Sequence, residues 1–122
     1  MPAFNLPLNL PHAATIAHRI LYHLRGKSAP DETLQRAGGL IVLLEPWRDL
    51  EDNGPADAAE KARQSAAALG RALVDDIEKG ALGSDRLGQA VRNLFECLSM
   101  GEEGARISLR AGEDPRSTMR PT

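Results

Sequence analysis

The stretch from Pro55 to Lys79 constrains the fold most: it is long, Ala-rich, bounded at both ends, and apolar on one side only. Asn53-Gly54-Pro55 opens it and Gly80 closes it, which is the usual asymmetry of helix-end chemistry. Ala59, Ala62, Ala66, Leu69, Leu73 and Ile77 recur at helical spacing. Such a helix cannot bury its stripe alone, so the rest of the chain must supply matching helical faces. Small residues early and large ones late predict a close helix approach at one end and a fuller core at the other.

Those faces are present. A first helix is predicted from Pro11 to Arg25, with Gly26 beyond its end. Ala13, Ala17, Ile20, Leu21 and Leu24 form its buried side, and Thr15, Arg19 and Tyr22 its wet side. Ser28-Ala29-Pro30-Asp31 starts a second helix, with Ser28 as cap and acids in the first turn. Its later part, Leu40 to Leu44, is apolar on every side. Period alone leaves helix and strand open there. Helix is the better reading, because a lone strand has no pairing partner in this chain. Pro46 should stop or kink the helix at Glu45, letting Trp47 and Leu50 fold back onto the bundle.

A last helix begins at Ser84 and Asp85, buries Leu87, Val91, Leu94, Phe95 and Leu98, and is expected to end at Gly101. The expected architecture is an all-α bundle of about four helices over residues 11–101. An extended Leu/Pro-rich arm, 1–10, precedes it, with Phe4, Leu6, Leu8 and Leu10 alternating against Asn and Pro. A flexible tail without helical periodicity, 102–122, follows it and should be dispensable for folding.

Little chemistry is written in the chain. His12, His18 and His23 lie in or beside one helix, but spacings of six and five residues do not converge on one ion. His12 and His23 share a face, three turns and roughly 16 Å apart. Cys97 has no histidine grouped with it and reads as a small buried hydrophobe. Asp75 and Asp76 diverge by about 100° on a helix and read as solvated surface. The glycines lack the context of a phosphate loop. No metal, no cofactor and no enzymatic activity are therefore expected. A single cysteine excludes an internal disulfide and, with no apolar run near the roughly 20 residues of a bilayer span, favours a cytoplasmic setting.

The segment 74–95 resembles the helix-turn-helix of small bacterial regulators, above all in LGSDRLGQAVRNL. That resemblance covers about a fifth of the chain and implies a DNA-reading helix offering Arg86, Gln89, Arg92 and Asn93. Asp85 and Glu96 would then face phosphates, and the net charge of −2 and 3% aromatic content weaken nucleic-acid binding.

The all-round apolar run at Leu40 to Leu44 points elsewhere. Three other helices, one of them thin and Ala-rich, leave doubtful internal cover for it. The leading expectation is a non-catalytic protein-binding module, as adaptor, regulator or inhibitor, acting through an apolar helical face as a homodimer. Its partner-binding residues would be Leu40, Leu43 and Trp47, with Leu6 and Leu8 of the arm.

Overall fold

A computed structural model describes residues 7–107 and 109. Among these residues all regular structure is helical: α1 (Leu10–Gly26), α2 (Asp31–Leu44), α3 (Ala56–Lys79), α4 (Asp85–Cys97) and α5 (Gly101–Ala105). A 3₁₀ turn, Glu45–Trp47, follows α2 where Pro46 was expected to interrupt the helix. The run at Leu40 to Leu44 is helical, as expected.

The first four helices form a closed ring. Helix α1 packs on α2 and α4, and α3 packs on α2 and meets α4. Neighbours run antiparallel. The N-terminus of α1 meets the C-terminus of α4 through Asn9 N–H donating to the Cys97 carbonyl at 2.8 Å. At the other end, Lys27 Nζ of the α1–α2 link reaches the Gly83 carbonyl before α4. Arg36, early in α2, pairs with Asp76, late in α3.

The core is the sum of the predicted faces with a few exchanges. In α1, Leu10, Ala13, Ala14, Ile16, Ala17, Ile20 and Leu24 are buried while Leu21 lies at the margin. In α3, Gly70 is buried and Leu69 only partly so. A Cβ at Gly70 would lie 3.0 Å from Phe95 Cζ, so the missing side chain lets α3 close onto α4.

Of the three glycines expected at helix ends, Gly80 holds that place, Gly26 is one residue early and Gly101 does not. Gly80 is the C-cap of α3 at φ −91°, Gly26 is the last residue of α1, and Gly101 begins α5. The left-handed positions are Ser28, Ala81 and Ser99, at φ 55°, 53° and 61°. Each belongs to a Schellman closure, in which Ala29, Leu82 and Met100 donate N–H to the carbonyls of Leu24, Ile77 and Phe95. Ala29 and Leu82 are buried there and Met100 packs on the core, so apolar docking rather than glycine fixes where the chain turns. An L-residue in this region costs about 1–2 kcal/mol. Ala81→Gly should therefore raise stability by up to about 1 kcal/mol after glycine's own entropic cost. Thermal melts of this variant, and of one adding Ser28→Gly and Ser99→Gly, should shift upward in steps; unchanged melts would contradict the reading.

Capping differs from expectation in two further places. Ser28, in the left-handed region, does not cap α2, whose N-cap is Pro30 without a side-chain bond. Asn53 serves α1 and not α3. Its Oδ1 accepts from Leu10 N–H at 2.8 Å and its Nδ2 donates to the Leu8 carbonyl at 2.9 Å. Trp47 Nε1 donates to the Asn53 carbonyl at 2.7 Å, holding the same corner together. Ser84 does cap α4, accepting from Leu87 N–H.

The segment expected to be a loose tail is docked in its described part. A Cβ at Gly104 would lie 2.9 Å from Phe95 Cβ, Leu109 is 4% exposed, and Arg92 Nη1 donates to the Ile107 carbonyl. Arg71 forms a two-pronged pair with Glu103, at 2.8 and 2.9 Å, that ties α3 to α5. Residues 110–122 of that expected tail, and Phe4 and Leu6 of the arm, lie outside the described residues.

Candidate interaction surface

Helix α2 divides its apolar run by angle. Leu40 and Leu44 are fully buried against the neighbouring helices, Ile41 and Leu43 are half-buried at its flanks, and Val42 is 74% exposed. Much of the apparent surplus is thus internal, because α1, α3 and the 3₁₀ turn all pack on this helix. Leu40 cannot be a partner-binding residue, since no part of it reaches solvent. Leu43 and Trp47 pack partly on the core, and Leu8 sits half-buried with its carbonyl held by Asn53. Besides Val42, the exposed large apolar side chains among the described residues are Tyr22 and Leu50. Leu50 thus stays out, unlike Trp47.

What remains on the outer side of α2 is a strip the apolar run alone did not reveal. Gln35, Gly38, Gly39, Val42 and Pro46 follow one another at steps of one, three or four residues and occupy one side. None carries a charge, and all are exposed except half-buried Gly38. Along the strip's flanks several charges are paired within the molecule, while Asp31 and Asp49, one turn beyond its two ends, are exposed with no ion pair among the described residues. Arg36 bonds Asp76 and Glu32, and Glu45 takes Arg48 on one oxygen and stands 3.8 Å from His18 Nε2 on the other. A Cβ added at Gly38 or Gly39 would meet nothing within 4 Å. Unlike Gly70 or Gly104, these two glycines serve no close approach inside the chain, yet each weakens a helix interior by about 0.5–1 kcal/mol relative to alanine. Asp76, expected to be free surface, is instead largely enclosed by its bond to Arg36.

Comparison with protein-family models, curated proteins and solved structures finds no match to this chain.

The face of α4 offered to DNA by the resemblance is largely occupied. Arg92 bonds the Ile107 carbonyl and Gln89 Oε1, and Gln89 Nε2 donates to Asn93 Oδ1 at 2.8 Å. Arg86 alone of the four is exposed without such a bond, beside exposed Asp85.

The titratable side chains are dispersed. Among the described residues, no group of three or more His, Cys, Asp or Glu could hold a metal ion. A cleft between the arm and the end of α4 is lined by Leu8, Asn9, His12, Asn93, Glu96 and Cys97, among others. Its thiol is a poor nucleophile, since burial and then the neighbouring Glu96 push Cys97 up to about 11. No helix among the described residues is long and apolar enough to cross a membrane.

Proposed function

We propose that this chain is a non-catalytic protein-binding module that self-associates through the outer side of α2. The observation that carries this reading is the pair Gly38 and Gly39, set mid-helix beside exposed Val42 with no internal neighbour to require them. Adjacent glycines let another backbone approach closely, and an uncharged strip with charges only along its rim has the composition of an interface centre. In an isologous dimer, α2 meets its symmetry copy, so one strip supplies both halves of the contact. The adaptor, regulator or inhibitor role expected from the sequence is then performed by the assembled pair.

Sedimentation velocity across micromolar concentrations tests it. The chain of 13.1 kDa should give a species of about twice that mass. Val42→Glu should return it to monomer with an unchanged helical circular dichroism spectrum, because that side chain is already in water. Gly39→Ala separates the two uses of glycine. It should weaken the dimer while stabilising the monomer by about 0.5–1 kcal/mol. A wild-type monomer at every concentration would remove the self-association reading.

A further inference from the structure

Charge is distributed unevenly along this chain. The first acidic residue is Asp31, so the whole of α1 and its flanks carry Arg19, Arg25 and Lys27 without a carboxylate, in a protein of net charge −2. At the C-terminal turn of α1, Arg25 and Lys27 border a cleft of about 520 Å³ lined also by Tyr22, His23, Gly26 and Ser84. That volume lies within the range of small-molecule sites. No acidic side chain lines the cleft, and among the described residues neither Arg25 nor Lys27 has a carboxylate within ion-pair distance.

The cleft also has a planar platform. Tyr22 is 75% exposed, in edge contact with the His23 ring at 5.6 Å and 70°. Gly26 lies one helical turn further along, and a Cβ there would meet nothing within 4 Å. The surface beside the Tyr22 ring is thus unfilled. Ser84 offers less, because its hydroxyl oxygen already accepts from Leu87 N–H, and Lys27 Nζ is anchored only by one long bond of 3.4 Å to the Gly83 carbonyl.

We infer that this cleft binds a nucleotide, with the base stacked on Tyr22 over Gly26 and the phosphate held by Arg25 and Lys27. An exposed aromatic face receives a base without sequence preference, and guanidinium and ammonium groups receive phosphate. A simple anion would leave the platform unused, and an uncharged ring would leave both cations unanswered. The inference stands apart from self-association, since α1 rather than α2 carries it.

Titration of the ¹⁵N-labelled full chain with ADP tests it at low salt. Saturable amide shifts confined to residues 22–27 and the start of α4 are expected, with a Kd below roughly 1 mM. Adenosine alone and inorganic phosphate alone should each bind at least about tenfold more weakly. Tyr22→Ala, a change at an exposed position, should weaken ADP several-fold, and Arg25→Ser with Lys27→Ser should abolish saturation while preserving the amide spectrum elsewhere. Failure of ADP to saturate below roughly 10 mM would overturn the inference. So would equal affinity for inorganic phosphate, or a Tyr22→Ala variant that binds like the wild type.

Discussion

Replacing Phe95 with alanine is expected to cost about 3–5 kcal/mol, the range for emptying a large aromatic core position. Phe95 is fully buried in α4 and faces glycine on two other helices. Its ring meets the vacant side of Gly70 in α3, and its Cβ meets that of Gly104 in α5. A cavity opened there has no flexible neighbour on those two sides to fill it, so relaxation should recover little of the loss. The Phe95 carbonyl also accepts Met100 N–H in the closure of α4, which ties the ring's backbone to the turn into α5. Domains of this size have about 5–15 kcal/mol in all, so the variant should sit close to the folding threshold. Urea or thermal melts followed by circular dichroism measure it, with Phe95→Leu as a milder control. A loss below about 1 kcal/mol would mean that the ring does not stand between the three helices.

The helical faces were legible because a stripe at 3.6-residue spacing is a local signal. The buried sides of α1, α3 and α4 follow it, with Ile16 replacing Leu21 and Gly70 replacing Leu69 at the margins. The glycines misled because their function depends on contacts distant in sequence. Gly70 and Gly104 are contact points with Phe95, whereas Gly26 and Gly80 stand at helix ends without taking the left-handed turn and Gly101 begins a helix. That turn falls at Ser28, Ala81 and Ser99, where the following apolar residue finds its place on the core. Asn53 had the look of a local cap but bonds a backbone 43 residues away, which no short-range pattern encodes. The candidate surface was legible only as a region. The run Leu40 to Leu44 named the correct helix, but rotation about its axis, decided by packing on α1 and α3, turned Leu40 inward and left Val42 and the two glycines outside.

The same limit explains the segment after α4, and it leads to the second large effect. A five-residue helix is too short to show a period, so α5 and its extension looked structureless. Their contacts nonetheless close the bundle. Leu109 is buried, with its carbonyl 2.9 Å from where a Gly88 Cβ would stand, and Ile107 packs on the core while its own carbonyl accepts from Arg92. Ending the chain at Met100 removes a leucine burial of about 1.5–3 kcal/mol and leaves the Arg92 bond unmade at about 1 kcal/mol more. The exposed Arg71–Glu103 pair adds little at neutral pH. The expected loss is about 2.5–4 kcal/mol, or about 10 °C or more in melting temperature. Part of the difference should depend on pH. The Arg71 guanidinium holds the Glu103 carboxyl below the usual carboxylate range, so its contribution is present at neutral pH and fades as Glu103 is protonated in acid. The gap between full-length and shortened chains should therefore narrow slightly on acidification. Leu109→Ala in the intact chain should reproduce much of the loss without shortening it. A truncated chain that melts with the wild type would show that α5 and Leu109 rest on the bundle without holding it.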